Sequence, residues 1–296
     1  MRAIMVAVDY SDLLRITLPY NRHHFEEVWI VTDHRCFESV VDVVSQVQDG
    51  VGITVLSTDL FYQDGAVFNK WRALEYGLDM MDRRGWLCLM DADVLWPKRL
   101  LVNEEGLLYI KEDKVIQPGQ ICSPLRRMWD SFPHNPLPIR YDDMMLNDVR
   151  VPSERHWSEF PAHRNVYEWV GYSQIFHADD PVLGEPPWHQ IDWRHCGGAD
   201  SFFQAKWGKM SRGWRPGVKQ ISDKKVRPPW EVLHLGPAGQ NWCGRASAMS
   251  DGITPEGADE KLKQVAAIWE GRRRNRNEGR DQFTGERLTP EVEQGQ

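Results

Sequence analysis

The chain has 296 residues, of which 41% are hydrophobic, and it carries a net charge of −7 at pH 7. This length and apolar content predict a folded protein with one large α/β domain or two small ones. The acidic balance excludes a global positive field that would recruit nucleic acid. No apolar run approaches the roughly 18 residues of a membrane span, and the first is too short for a signal peptide, so we expect a cytoplasmic protein.

Buried strands alternate with helices through the first part of the chain. Apolar runs predict three strands, at residues 3–8, 28–31 and 53–56. A helix is expected after the first strand, and a helical spacing of valines predicts another over residues 36–47. This alternation is typical of a doubly wound, mostly parallel sheet, whose ligands bind beyond the carboxyl ends of the strands. Asp9 and Asp33 stand at two such ends.

A further buried strand, residues 86–90, runs directly into Asp91-Ala92-Asp93. In extended backbone the two carboxylates would lean to the same side, which is unfavourable for isolated charges and suits a hard divalent cation. The alternative is an ordinary polar strand end followed by a turn at Trp96-Pro97.

A helix predicted over residues 67–82 has basic and polar residues near its start, away from its apolar stripe. We expect Asp64 to be its N-cap. Asn69, Lys70 and Arg72 lie beside the N-terminal amides, where helices favour anions, so this turn is a candidate diphosphate site. An ordinary solvated helix face is the alternative.

The sequence pattern changes after residue 100. Proline-rich turns interrupt short strands such as residues 107–110, and we interpret residues 100–171 as an insertion in the same domain. A strand is expected over residues 171–177.

Two later features carry candidate chemistry. A Gly-Gly-Ala-Asp sequence predicts a helix start with Asp200 in its first turn, where the helix dipole favours an ionised carboxylate. A plain N-cap is the alternative. The last short strand, residues 231–234, ends in His234, which is a metal ligand only if other ligands join it.

Taken in order, these pieces resemble the glycosyltransferases of the GT-A fold, which take a sugar from a nucleotide diphosphate. The sequence N-K-W-R-A-L-E-Y-G-L at residues 69–78 is similar to the segment that commonly precedes the D-x-D motif in that family. The resemblance spans about residues 3–242. It implies an α/β fold with a mixed, mostly parallel sheet flanked by helices, and metal-dependent sugar transfer to an acceptor hydroxyl, by a hexosyl- or pentosyltransferase.

The resemblance also implies roles for individual residues. Asp93, Asp91 and His234 would hold Mn²⁺ or Mg²⁺, and Asp33 would face the nucleotide base. The residues implied at the nucleotide-sugar are Asp9, Tyr10, Asp33, Asn69, Lys70, Asp91 and Ala92. Asp200 would be the general base of an inverting mechanism. Inverting members often have Glu-Asp where this chain has Ala199-Asp200, so inversion or retention stays open.

We therefore expect one domain over residues 1–250, with a nucleotide-sugar-binding half (1–100) and an acceptor half (101–250). Residues 251–296 are expected to form a C-terminal helix and a disordered tail. The acceptor stays open among a glycan, a small molecule and a hydroxymethylated DNA base.

Two other functions are compatible with the motif. One is a phosphatase of the haloacid-dehalogenase type, although its D-x-D normally ends the first strand. The other is a nucleotide- or sugar-binding module without catalysis.

Overall fold

The computed structural model describes residues 1–47, 52–66, 68–97, 101–102, 108–111, 114–116, 121–162, 173–192, 200, 203–204, 206–207, 218–220 and 231–236. The chain divides into two units, Met1–Arg245 and Ala246–Gln296, and every described residue belongs to the first. The predicted boundary at residue 250 and the predicted C-terminal helix and tail lie outside the described residues. In the part described, no helix has the length and apolar character to cross a membrane.

The strands and helices are short and follow one another closely. The strands are β1 (Arg2–Val6), β2 (Glu27–Thr32), β3 (Gly52–Ser57), β4 (Trp86–Asp91), β5 (Val94–Leu95), β6 (Leu101–Val102), β7 (Leu108–Lys111), β8 (Lys114–Ile116), β9 (Ile121–Ser123), β10 (Leu125–Trp129), β11 (Met144–Leu146), β12 (Val149–Val151), β13 (Ser173–His177), β14 (Val218–Gln220) and β15 (Glu231–Leu235). The α-helices are α1 (Ser11–Asn21), α2 (Phe37–Ser45) and α3 (Lys70–Met80). Turns of 3₁₀-helix occupy Arg22–His24, Leu60–Gly65 and Glu154–Glu159.

A seven-stranded sheet in the order β14-β9-β13-β4-β1-β2-β3 forms the centre. Strands β3, β2, β1 and β4 are parallel neighbours, whereas β13 runs antiparallel to both β4 and β9. The sheet is therefore mixed and mostly parallel, which confirms the predicted fold class. Within the described ranges, three smaller sheets accompany it: β10-β15-β5, β11-β12 and β6-β7-β8.

Helices pack on both faces of the central sheet, as a doubly wound architecture requires. Leu14 and Leu18 of α1 and Val40 of α2 share one buried cluster with Met5 and Met90. On the other face, α3 lies unusually close to the sheet. A Cβ at Gly77 would meet Ile4 Cδ1 at 2.5 Å and Val31 Cγ2 at 2.7 Å, so a glycine is required at this approach.

The start of α3 differs from the prediction. Asn69 is the N-cap, and its side-chain oxygen accepts a hydrogen bond from the Arg72 amide at 3.0 Å. Asp64, the predicted cap, lies in the preceding 3₁₀ turn with φ 56° and forms an ion pair with Arg72 at 3.0 Å. The prediction was wrong because the helix begins several residues after the apolar stripe does.

The backbone at Asp91-Ala92-Asp93 also differs from the extended strand that the sequence suggested. Strand β4 ends at Asp91, Ala92 and Asp93 form a turn, and the chain then enters β5 of the second sheet. The two carboxylates therefore lie on either side of a change of sheet.

Candidate functional site

The predicted acidic residues lie at one edge of the central sheet. Val6 at the end of β1 is paired with Val31 of β2 on one side and with Asp91 of β4 on the other. Because parallel strands end at the same edge, Asp9, Asp33 and the Asp91–Asp93 turn all follow this edge. The placement inferred from the alternation of strands and helices is thus present.

Asp91 is bound to the start of α3. The Lys70 ammonium donates a hydrogen bond to Asp91 Oδ1, and it also lies 5.3 Å from the centroid of the Trp71 ring. The side chain of Lys70 is 15% exposed and that of Asp91 is 29% exposed. This pair therefore presents a cation and a carboxylate together at the surface of the edge.

Asp93 is buried and faces His234 of β15. The residue is 3% exposed, and its Oδ2 lies 3.5 Å from His234 Nε2. Its other carboxylate oxygen, Oδ1, is buried and has no hydrogen-bond partner among the residues that the structure describes. The backbone fixes the pair, because the Leu235 amide donates to the Asp93 carbonyl at 2.8 Å.

The tautomer of His234 follows from its second contact. Nδ1 lies 2.9 Å from the Gly236 carbonyl oxygen, which can only accept, so Nδ1 carries the proton. In the neutral ring Nε2 then presents a lone pair toward the Asp93 carboxylate. Two acceptors that face each other need a cation or a proton between them, and an imidazole oriented by a carbonyl is the usual arrangement of a metal-binding histidine.

Burial dominates the electrostatics of Asp93. Burial raises the pKa of this carboxyl, the nearby Asp91 charge raises it further, and His234 opposes both. A divalent cation would lower the cost of keeping this charge ionised, because it would add its positive charge to that of the nearby Lys70. A carboxylate suits Mg²⁺ or Mn²⁺, and an imidazole suits transition-metal ions.

The three predicted metal ligands are not assembled as a set. Among the described residues, no group of three His, Cys, Asp or Glu side chains is arranged to hold a metal ion. Asp93 and His234 meet, whereas Asp91 is engaged by Lys70. The predicted role of Asp91 as a metal ligand therefore stays a prediction, and binding there would require its carboxylate to share or leave the lysine.

A second polar cluster lies beyond β2. Asp33 is buried, and both of its carboxylate oxygens are occupied: Oδ1 accepts from the Cys36 amide at 2.9 Å, and Oδ2 accepts from Arg35 at 2.7 Å and from Tyr62 Oη at 2.8 Å. Burial alone would raise the pKa of Asp33, but the hydrogen bonds from Arg35, Tyr62 and Cys36 lower it below its usual value. Asp33 thus anchors two larger side chains.

Arg35 and Tyr62 are the site residues that sequence reasoning missed. The side chain of Arg35 is 55% exposed, and its guanidinium lies 3.8 Å from Asp9 as well as against Asp33. A planar cation and a phenol at the edge of the sheet can contact a base or a phosphate. The signal was present in Asp33-His34-Arg35, which follows β2 directly, but nothing in the sequence brings Tyr62 to it.

The remaining predicted donor residues have structural contacts. Asn69 caps α3 and donates from Nδ2 to the Ile191 carbonyl at 2.6 Å. The Ala92 side chain is buried, and its carbonyl accepts from Thr17 Oγ1 at 2.7 Å. The Tyr10 carbonyl accepts the first amide bond of α1.

Two predicted residues are less tightly packed. Asp9 is half-buried with φ 59°, and its amide lies 3.3 Å from Cys36 Sγ. Asp200 is helical and half-buried, but residues 193–199 and 201–202 around it lie outside the described part. Its role as a base stays a prediction.

No protein-family model matches the chain, and a search of curated proteins finds no match. Among solved structures, the chain is similar to an inositol-1-phosphate CTP transferase from T. maritima, with 10% identity over 88% of this chain and 95% of that one and a TM-score of 0.38. It is also similar to a 4-diphosphocytidyl-2C-methyl-D-erythritol synthase from Anaerococcus prevotii, with 12% identity over 90% and 97% of the two chains and a TM-score of 0.36. Mouse xyloside xylosyltransferase 1 matches 63% of this chain and 72% of its own, with 12% identity and a TM-score of 0.32. These TM-scores are too low to indicate what this chain binds or does.

Proposed function

We propose that this protein is a metal-dependent glycosyltransferase that moves a sugar from a nucleotide diphosphate to an acceptor hydroxyl. The observation that carries the proposal is the Asp93–His234 pair, in which two buried acceptors face each other and one carboxylate oxygen has no partner within the described part of the chain. A cation is the ligand that this arrangement fits. Beside it, the Lys70 ammonium adds a second positive group at the end of β4.

Each side chain of the site would have a defined role in this reaction. Asp93 and His234 would hold Mn²⁺ or Mg²⁺, which when bound neutralises the charge that develops on the leaving diphosphate. Lys70, released from Asp91 or shared with it, would donate to a phosphate oxygen. Arg35 and Tyr62, both oriented by Asp33, would contact the nucleotide.

Activation of the acceptor hydroxyl would depend on Asp200. A carboxylate that removes the proton of the attacking hydroxyl typically contributes about 10² to 10⁴ in rate. With Asp200 as this base, the product would have the inverted anomeric configuration. A retaining reaction would instead use the leaving phosphate as its base.

The test is a panel of nucleotide sugars incubated with the full chain and Mn²⁺, with the release of nucleoside diphosphate measured by chromatography. We expect slow hydrolysis with water as acceptor for one donor, which is lost in EDTA and restored by Mn²⁺. Release of inorganic phosphate from sugar phosphates would favour a phosphatase instead. Binding of nucleotide without any turnover would favour a binding module, and release of pyrophosphate from a nucleoside triphosphate would also contradict sugar transfer.

A further inference from the structure

A buried glutamine lies one step inside the edge of the sheet that carries the Lys70–Asp91 pair. Gln174 of β13 is fully buried, and neither Nε2 nor Oε1 of its amide has a hydrogen-bond partner among the described residues. An amide in this state is costly, because it has lost its hydrogen bonds to water and gained none in return. A ligand or an ordered water that bonds the amide would explain it.

The strand register fixes the face on which Gln174 lies. Strand β13 runs antiparallel to β4, and Gln174 is paired with Leu89. Side chains two apart on a strand share a face, so Gln174 lies on the same face as Phe176 of β13 and Asp91 of β4. Phe176 and Leu89 belong to the buried cluster that α3 covers. Gln174 and Asp91 are therefore diagonal neighbours on the α3 face, with Cβ atoms roughly 7 Å apart.

The surroundings of Gln174 are apolar on one side and polar on the other. Away from the edge, its neighbour on this face is Phe176. The ring of Phe176 packs against three other aromatic rings, those of Trp188, Phe203 and Trp207. Toward the edge, the neighbour is Asp91, which is 29% exposed in its side chain and bonded to Lys70 at the start of α3. A ligand that bonds the amide would therefore approach it from the Asp91 side.

The two ends of the amide decide the chemical class of this ligand. Nε2 donates and Oε1 accepts, so both are satisfied only by a ligand that can accept and donate. An ionised phosphate can only accept, and a metal ion would bond the oxygen alone. A hydroxyl group accepts and donates, and two adjacent hydroxyl groups can bond both ends of one amide.

We infer that Gln174 binds a hydroxyl group of the transferred sugar and so determines which sugars are accepted. This inference rests on the proposed function and names the part of the donor that the residue contacts. In that function Lys70 binds the diphosphate, to which the sugar is joined directly. A buried group that bonds a substrate hydroxyl rejects an analogue without it, because the group is then left unpaired.

The test combines Gln174→Met with deoxy analogues of the best donor from the nucleotide-sugar panel, with water as acceptor and saturating Mn²⁺. Methionine is close to glutamine in shape but has no amide. In the wild type, we expect one hydroxyl position whose removal lowers kcat/KM at least about tenfold. In Gln174→Met, the same removal should change kcat/KM by less than about twofold, because the bond is already absent. Removal of the other hydroxyl groups should have equal effects in both proteins.

Thermal unfolding without any ligand is a second measurement, which does not depend on turnover. Since the amide is unpaired in the ligand-free protein, the Tm of Gln174→Met should equal or exceed that of the wild type. A lower Tm, or a variant that does not fold, would show that an ordered water or a group of the protein already bonds the amide. Either result would overturn the inference.

Phe176→Leu is the matched control, because Phe176 lies on the same face of β13 and two residues further from the edge. The change reduces packing and removes no polar group, so Tm should fall while the dependence on each donor hydroxyl stays as in the wild type. Loss of that dependence in Phe176→Leu as well would assign the effect to the packing of β13 and overturn the role of the amide.

Failure of the inference and failure of the proposed function are distinguishable. If the wild type turns over a donor and Gln174→Met responds to every deoxy analogue as the wild type does, Gln174 does not bind the sugar and the proposed function stands. If the wild type turns over no nucleotide sugar, the proposed function is overturned and this inference with it.

Discussion

The described residues include two buried carboxylate–histidine pairs that look alike in composition and differ in how the carboxylate is bonded. At Glu75–His189 the two groups are 2.5 Å apart, the carboxylate also receives a backbone amide, and Arg83 balances its charge. At Asp93–His234 the groups are 3.5 Å apart, Oδ1 has no partner in the described ranges, and the histidine Nδ1 proton points to the Gly236 carbonyl.

The difference supports a ligand at Asp93–His234 rather than at Glu75–His189. Hydrogen bonds and a counter-charge hold the pKa of Glu75 below its usual value despite burial, whereas burial raises the pKa of Asp93. Among the described residues, the unsatisfied atom of the first pair is a ring nitrogen, His189 Nε2, whereas that of the second is a carboxylate oxygen, Asp93 Oδ1. A buried carboxylate that is incompletely bonded is destabilising, and a cation would relieve that cost. We therefore expect substitution at Asp93 to lower activity without lowering stability. Substitution at Glu75 should lower stability and leave activity nearly unchanged.

The largest effect is expected for Asp93→Asn. We predict a loss of at least about 10³ in donor turnover, because the variant removes a metal-binding carboxylate and its charge at the leaving group. The free energy of unfolding without metal should stay equal or rise, since the buried charge is removed and the new amide can donate to His234 Nε2. Calorimetric unfolding without and with Mn²⁺ measures the stability of the metal-free protein and the stabilisation by the metal.

The stabilisation of the fold by Mn²⁺ has its own expected result. In the wild type, Mn²⁺ at about 100 times its Kd should stabilise the fold by about 2.7 kcal/mol, and the variant should lose this gain. Unfolding of the variant at room temperature, or wild-type turnover, would show that the pair is structural.

The next largest effect concerns Asp200→Asn. We predict that kcat falls by at least about 10², with donor binding and the response to Mn²⁺ preserved. Asn caps a helix about as well as Asp, so the change removes the carboxylate with little change at the helix start. NMR of the product anomer is measured alongside, and wild-type kcat together with retained configuration would eliminate Asp200 as the base.

Glu75→Gln should reverse the pattern seen at Asp93. Removing this charge takes away the buried partner of Arg83 and leaves its ion pair with Asp79, an exposed carboxylate 2.6 Å away, which we expect to cost about 2 kcal/mol of stability. We expect kcat to stay within a few-fold of the wild type at temperatures where the variant is folded. Urea unfolding monitored by tryptophan fluorescence gives the stability. A variant as stable as the wild type would show that the Glu75 carboxylate does not stabilise this cluster.

The sequence predicted the framework well and the contacts poorly. The alternation of apolar runs with helices predicted parallel strands. Because parallel strands end at the same edge of a sheet, it also predicted that Asp9, Asp33 and Asp91 lie at a common edge. Asp93 and His234 are far apart in the chain, and only the pairing of β5 with β15 brings them together.

The residues that sequence reasoning missed share one physical cause. Nothing in the residues around Glu75 or His189 indicates that a loop after β13 packs on α3, since each element is locally unremarkable. Likewise, Lys70 was expected at a diphosphate, but its contact with Asp91 depends on how closely α3 approaches the sheet, which Gly77 permits. Local patterns specify elements, and side-chain pairs depend on tertiary packing.

The smallest expected effect is a difference in the pH dependence of stability between the wild type and His189→Phe. Burial lowers the pKa of His189 below its ordinary value of 6.5, with Arg83 and Lys206 acting in the same direction and Glu75 opposing them. The unfolded chain therefore takes up a proton before the folded one does, and stability must fall as pH drops below about 6.5. The lowered pKa of Glu75 adds a second loss that begins lower, near 4.5.

His189→Phe removes the first of these losses and reduces the second, because the imidazole that helps to lower the pKa of Glu75 is gone. Between pH 7 and pH 5.5 its free energy of unfolding should change less steeply than that of the wild type, even though its stability at pH 7 is lower. Urea titrations at several pH values measure the slope, with His177→Phe as the comparison. Equal flattening by His177→Phe would assign the effect to the loss of any histidine, whereas a wild-type slope in His189→Phe would mean that the buried ring accepts a proton without cost.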